Sequence, residues 1–196
     1  FDGFGRLASD SPIGPANRYY HKALEPLQFD ADRARYHLKK AKIDQASLAV
    51  ILSDTSPVAT DAVGAVLRNL ASDTGLHLQP KRGEAHDQSA DLNLSLCYGR
   101  VTEDWMFSAG SPDGPLRVSG AGHQQRFVQL QTAARSEMDS AKRAAYYDEM
   151  QLIARNNGAM IAPVFVDFSH AMRRRLASPE RIGNLWPLDN ARLAER

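Results

Sequence analysis

The sequence has little of several features that define particular protein classes. Among 196 residues there is one cysteine, Cys97, which excludes an intramolecular disulfide framework and a zinc site built from several cysteines. Neither sign of charge is in clear excess, because the chain has 24 Lys and Arg residues and 23 Asp and Glu residues, which gives a formal net charge of +1. That balance argues against nucleic acid as a partner, since binding a phosphate backbone needs a strongly positive surface. The longest apolar runs, at 48–52 and 161–166, are far shorter than the roughly 20 residues of a membrane-spanning helix.

Residues that could bind a metal or catalyse a reaction are scattered along the chain. The six histidines show neither His-x-x-x-His nor His-x-Glu spacing, so we expect no metal site. No Gly-x-Ser-x-Gly elbow is present, and Cys97 lies in a predicted strand among apolar neighbours, where a thiol is usually inert. Because no nucleophile is paired with a base, we predict that the protein is not an enzyme and holds no cofactor.

A strand–helix–strand unit is predicted in the first half of the chain. Residues 47–53 form a continuously apolar run rich in Val and Ile, which is typical of a strand covered on both faces. The apolar spacing over 58–70 predicts a helix ended by Gly75, and 76–79 a second strand. Because the connections are short, the two strands should be parallel neighbours. Residues 91–98 alternate apolar and polar, which predicts a further strand near an edge of the sheet.

Further helices are predicted on either side of this unit. Asp30 is expected to cap a helix over 31–41, with His37 on its apolar stripe at the edge of the core. Two more helices are predicted at about 123–135 and 139–157, the second capped by Asp139, and a strand at 161–166. Together these elements predict an α/β fold with a mixed open sheet flanked by helices.

The densest group of chemically active side chains follows the alternating strand, in residues 99–108 (GRVTEDWMFS). Strand ends in open α/β sheets are where ligands bind. Arg100 could hold a carboxylate through two parallel hydrogen bonds, Asp104 or Glu103 could neutralise an ammonium group, and Trp105 could wall an apolar pocket. The predicted ligand-binding residues are Tyr98, Arg100, Thr102, Asp104 and Trp105.

A structural interpretation of the same segment is equally open. Thr102 could cap a short helix, and Glu103 and Asp104 could favour the positive end of its dipole. Trp105 and Phe107 would then belong to the core. Composition does not decide between the two interpretations.

Several stretches, in their order along the chain, resemble the dipeptide- and oligopeptide-binding proteins of bacterial ABC importers (extracellular solute-binding family 5). The helical segment D-x-x-x-R-x-x-x-Y-x-E-M-Q-x-I at 139–153 and the following Pro-Val-Phe at 163–165 are similar to the paired helices and strand of that family. The other similar stretches are 5–15, 29–41, 99–108 and 186–196. The resemblance therefore extends over nearly the whole chain.

The resemblance implies one lobe of a two-lobed, periplasmic-binding-protein-like (type II) fold that closes over a peptide or peptide-like solute. Such proteins deliver the solute to ABC permease subunits, and lie in the periplasm or are anchored at the cell surface. They are much longer than this chain, so we expect a signal peptide and the first lobe upstream. The expected organisation is a lead-in segment at 1–29, a ligand-binding lobe at 30–160, and a returning strand and tail at 161–196. Hinges are expected within 1–15 and 163–172.

The segment departs from the family pattern at one position. Where many members carry an acidic residue that meets the amino group of the ligand, this sequence carries Arg100, if Cys97 takes the place of the family tryptophan. The departure favours an anionic group on the solute, or an internal Arg100–Asp104 pair. Two alternative classes stay open: an interaction module that uses its amphipathic helices, and a small hydrolase domain.

Overall fold

The computed structural model describes residues 5–43, 46–53, 60–84, 89–95, 97, 99, 102–108, 117–166, 176–177 and 192–193. It is mixed α/β, with small sheets flanked by helices, and the chain divides into two compact units. We call Gln28–Cys97 the sheet unit, and Phe1–Leu27 with Tyr98–Arg196 the helical unit. Among the described residues, no helix has both the length and the hydropathy needed to cross a membrane. In chain order the elements are β1 (Gly5–Leu7), α1 (Ala31–Lys40), β2 (Ala46–Ser53), α2 (Thr60–Ser72), β3 (Leu76–Gly83), β4 (Leu92–Leu94), α3 (Glu103–Ser108), α4 (Ala121–Ser136), α5 (Ser140–Asn157), β5 (Val164–Val166), β6 (Leu176–Ala177) and β7 (Arg192–Leu193).

The sheet unit contains the predicted crossover. Strands β2 and β3 pair in parallel over eight residues, from Ala46 opposite Leu76 to Ser53 opposite Gly83, which confirms the strand–helix–strand prediction. The described sheet has the order β3-β2-β4, so β2 is central. Its consecutive residues Val50, Ile51 and Leu52 are all buried, although neighbouring side chains on a strand point to opposite faces. This confirms a strand covered on both faces.

Strand pairing changes two predicted boundaries in this unit. Strand β3 is longer than 76–79 because it stays in register with β2 along its full length; Pro80 is tolerated there because β3 is an edge strand of the described sheet. Strand β4 is shorter than 91–98, since it begins opposite Val50 and β2 ends only a few residues later. Cys97 consequently lies beyond the strand and is exposed, so its prediction as a buried mid-strand thiol is wrong.

Helix α1 begins as predicted, with the Asp30 carboxylate accepting a hydrogen bond from the backbone N–H of Arg33 at 2.8 Å. Its apolar stripe is only half-buried at Ala34 and Leu38, and no residue of the helix is fully buried. His37 is exposed, which corrects its predicted place at the edge of the core. The imidazole lies beside the exposed ring of Tyr36, with the two ring centroids 5.4 Å apart.

The helical unit is built on α4 and α5, which pack against each other. Asp139 caps α5, accepting hydrogen bonds from the backbone N–H groups of Ala141 and Lys142, and Gly158 follows its last residue, as predicted. The core of this unit combines residues of α3, α4 and α5 with residues of the lead-in segment. Its buried members are Ile13, Tyr19, Phe107, Val118, Phe127, Leu130, Ala134, Tyr147, Met150, Ile153 and Ala154.

A fully buried amide, Gln151, attaches the lead-in segment to α5. Its Nε2 donates to the carbonyl oxygens of Tyr19 (2.8 Å) and Tyr147 (3.1 Å). Its Oε1 accepts from the hydroxyl of Ser11 and from the backbone N–H of His21, each at 3.0 Å. All four hydrogen-bonding positions of the side chain are thus satisfied, which a buried amide requires.

Strands β1 and β5 pair antiparallel, with Leu7 opposite Val164 and Gly5 opposite Val166. The predicted strand at 161–166 begins only at Val164, because the backbone N–H of Ala162 donates to the Asp10 carboxylate (2.8 Å) instead of to a strand. The two chain segments in which hinges were predicted are therefore hydrogen-bonded to each other in their described parts.

Candidate functional site

Helix α3 contains two of the five predicted ligand-binding residues, Asp104 and Trp105, and a third, Thr102, caps it. Thr102 precedes the helix, and its Oγ1 accepts a hydrogen bond from the backbone N–H of Trp105 at 3.2 Å. This confirms the structural interpretation of Thr102 as a helix cap. A helix of six residues is not stable alone, so α3 depends on its contacts with the rest of the helical unit.

Phe107 anchors α3 in the core. It is completely buried, with its ring centroid 5.2 Å from that of Tyr147 and 6.2 Å from that of Phe127. The structural interpretation of Phe107 as a core residue is confirmed. Burial, together with the nearby carboxylates of Glu103 and Asp104, raises the pKa of Tyr147 to about 12. Tyr147 is 2% exposed and acts as part of the core.

The two carboxylates of α3 are each matched by an arginine of another segment. Arg135, in the last turn of α4, donates through Nε to Oδ1 of Asp104 at 2.8 Å, and this hydrogen bond raises the pKa of Arg135. Arg18, in the lead-in segment, places Nη2 3.5 Å from Oε1 of Glu103, and its guanidinium also lies 4.5 Å from the ring centroid of Tyr19. The acidic pair is thus neutralised by the protein itself.

Trp105 lies on the opposite side of the helix from Phe107. Two positions along an α-helix correspond to about 200° of rotation, so one ring points inward and the other outward. Trp105 is 51% exposed, whereas Phe107 is 0% exposed. The interpretation of Trp105 as a core residue is therefore wrong. The arrangement presents a large aromatic side chain on the surface of a helix that is held from several directions.

Sequence reasoning missed Arg18 and Arg135, and also the contact that holds the end of α3. There, Ser108 donates through Oγ to the carbonyl oxygen of Asp104 at 2.9 Å and accepts from the Gln131 amide at 3.3 Å. No local pattern marks Arg18, Arg135 or Gln131 as partners of α3, because the chain folds back to bring them together; Asp104 and Arg135 are 31 positions apart.

Tyr98 and Arg100, the other two predicted ligand-binding residues, lie outside the described residues. The predicted Arg100–Asp104 pair consequently stays a prediction, while the described partner of Asp104 is Arg135. Within the described ranges, no three His, Cys, Asp or Glu side chains are grouped as a metal site would need.

No family model matches the chain, and no curated protein matches it. Solved structures with the same fold include NikZ of Campylobacter jejuni in complex with Ni(L-His), with a TM-score of 0.69, 12% identity and 95% of this chain covered. The dipeptide-binding protein of Pseudoalteromonas sp. SM9913 in complex with Met-Leu matches with a TM-score of 0.64, 19% identity and 99% coverage. The ABC transporter-associated periplasmic binding protein DppA of Helicobacter pylori, in complex with the peptide STSA, matches with a TM-score of 0.59, 17% identity and 79% coverage.

This chain corresponds to only part of each of these proteins. It covers 43% of NikZ, 41% of the dipeptide-binding protein and 32% of DppA. At identities below 20% the likeness establishes the fold: the chain folds like a portion of the solute-binding proteins of ABC importers.

Proposed function

We propose that this chain is the C-terminal lobe of a solute-binding protein of an ABC importer, which captures a peptide or peptide-like solute between two lobes. One observation carries the proposal: the likeness to such binding proteins extends over nearly the whole chain, at a TM-score of 0.69 over 95% of it. The proteins with this fold bind solutes as different as Met-Leu and Ni(L-His). The fold therefore supports a binding role, whereas the identity of the solute depends on the residues of the binding site. The protein would transfer its solute to permease subunits and catalyse no reaction.

The proposed location is the periplasm or the outer surface of the cell. The likeness to a periplasmic binding protein of Helicobacter pylori supports it. Under this proposal a signal peptide and a first lobe belong to the same protein.

The proposed solute-facing surface lies around α3 and the chain before it. Trp105 supports this because a half-exposed tryptophan on a firmly held helix can pack against an apolar group. Arg100 is proposed to meet an anionic group of the solute, and Tyr98 is proposed as a further ligand-binding residue. The helix cap Thr102 and the arginine-bound Asp104 are assigned to the same surface.

Lobe movement is proposed to occur about 1–15 and 163–172, the two segments in which the chain would cross between lobes. The antiparallel pairing of β1 with β5 supports this, since it joins the two proposed crossing segments side by side. The proposed organisation keeps 1–29 as lead-in, 30–160 as ligand-binding lobe and 161–196 as returning strand and tail.

A thermal-shift screen of the intact gene product tests the proposal. The probes are di- and tripeptides, the same peptides with blocked termini, and small carboxylate-bearing amino-acid conjugates. We expect at least one class to raise the melting temperature in a saturable manner, and Trp105→Ala to abolish that rise. Val128→Ala, which truncates an exposed apolar side chain on α4, is the matched control and should leave the rise unchanged. A protein that no probe stabilises would refute the proposed function.

A further inference from the structure

We propose that Arg135 is a positioning residue for the solute-facing surface. By holding Asp104, it fixes the orientation of α3 and of the exposed Trp105 ring, so that this surface offers the solute an aromatic group and not an unpaired carboxylate. The inference rests on the proposed function for its biological meaning. The geometry it depends on is that of the helical unit alone.

The contacts of α3 explain why one arginine would have this effect. Phe107 fixes one point of the helix in the core, and the Gln131 amide holds Ser108 at the end of the helix. Arg135 holds Asp104 from α4, while Arg18 holds the neighbouring Glu103 from the lead-in segment. The Arg18–Glu103 contact is the longer, at 3.5 Å, and the Arg18 side chain is 69% exposed. The 2.8 Å bond from Arg135 is therefore the shorter of the two ion-pair contacts that hold α3 from outside the helix, and it acts together with the Gln131–Ser108 contact.

The ion pairs also change what α3 can recognise. From the sequence alone, Asp104 or Glu103 is a candidate to neutralise an ammonium group of the solute. An ammonium group arriving at α3 would have to displace a guanidinium, and that would leave the arginine without its partner. An apolar group that packs on Trp105 displaces neither arginine. We therefore assign the part of the solute that meets α3 to the apolar class.

A second ion pair on the same helix provides a matched control. Arg126, also on α4, binds Glu149 of α5 through two hydrogen bonds of 2.6 and 2.7 Å. Its side chain is about as exposed as that of Arg135. The Arg126–Glu149 pair joins α4 to α5, which already share a buried core. Among the described residues, the ion pair of Arg126 does not involve α3. Loss of Arg126 should therefore leave Trp105 unaffected.

Fluorescence of Trp105 tests the inference without any solute. Every tryptophan other than Trp105, including Trp186, is replaced by Phe in all proteins compared, so that Trp105 is the single emitter. Quenching by caesium and by iodide, together with steady-state anisotropy, is then measured for the parent, Arg135→Gln and Arg126→Gln. An unpaired carboxylate near an exposed ring attracts caesium and repels iodide. We expect Arg135→Gln to raise the caesium-to-iodide quenching ratio roughly twofold and to lower the anisotropy. Arg126→Gln should match the parent.

A charge exchange separates positioning from simple loss of stability. Asp104→Arg combined with Arg135→Asp should restore the parent anisotropy, whereas each single change should lower it. Circular dichroism confirms that the compared proteins are folded. If Arg135→Gln is not folded, Asp104→Ala, which removes the acceptor of Arg135, takes its place and should likewise lower the anisotropy. Equal ratios and anisotropies in Arg135→Gln and Arg126→Gln would overturn the inference. Because no solute is used, such a result is distinct from a failed thermal-shift screen, which would refute the proposed function.

Discussion

Replacing Gln151 by Leu should strongly destabilise the helical unit, although the two side chains are similar in size. Gln151 is 0% exposed, and its amide satisfies buried backbone groups of the lead-in segment. Leucine would leave the N–H of His21 and the carbonyl oxygen of Tyr19 without their partner. An unsatisfied buried polar group costs about 1–3 kcal/mol, so we expect the free energy of unfolding to fall by about 3 kcal/mol.

Urea denaturation followed by the fluorescence of Trp105, which belongs to the helical unit, measures this loss. Gln129→Leu is the matched control: it makes the same substitution at an exposed position of α4 and should change stability by less than about 0.5 kcal/mol. If Gln151→Leu unfolds at the same urea concentration as the control, the amide does not hold the lead-in segment, and this account of the helical unit is wrong.

Three further predictions concern stability and its pH dependence. Phe107→Ala should lower the free energy of unfolding by about 3–5 kcal/mol in the same urea assay, because the ring is completely buried; a loss below about 1 kcal/mol would contradict its anchoring role. Burial raises the pKa of Asp10, so the folded chain binds that proton more tightly and loses stability as pH rises from about 4 through the folded pKa. Asp10→Asn keeps an acceptor for the N–H of Ala162 and should remove this loss in urea titrations at several pH values; an unchanged pH profile would contradict it. The hydrogen bond from Arg126 lowers the pKa of Glu149, so its stabilisation is present above the ordinary value of 4.5 and is lost as pH falls through the folded pKa. Glu149→Gln should therefore be less stable than the parent at pH 7, and this difference should shrink on acidification; a constant difference would contradict the assignment.

Elements whose ends are fixed by local chemistry could be predicted from the sequence. The cap at Asp139 and the parallel pair made by β2 and β3 depend on residues near them in the chain, and both are confirmed. Ends set by a distant partner could not be predicted. Strand β4 ends at Leu94 because of its register with β2, although the alternating pattern continues to Tyr98. The exposure of Cys97 follows from that register.

For the candidate site, the sequence predicted a chemically active segment but not which of its groups are already paired. Thr102 as a cap and Phe107 as core follow from local spacing and burial, and both are confirmed. The pairing of Asp104 with Arg135 and the four hydrogen bonds of Gln151 depend on how α4, α5 and the lead-in segment pack. A polar residue on a helix gives no local sign of whether it will be buried.

The central claim, that this lobe closes over a solute at the surface carrying Trp105, is tested most directly by titrating the intact protein with a solute found by the thermal-shift screen. With every tryptophan of the intact protein except Trp105 replaced by Phe, we expect a saturable blue shift of Trp105 emission at the concentration where calorimetry detects binding. Calorimetric saturation without any change in Trp105 emission would place the solute elsewhere and contradict the account.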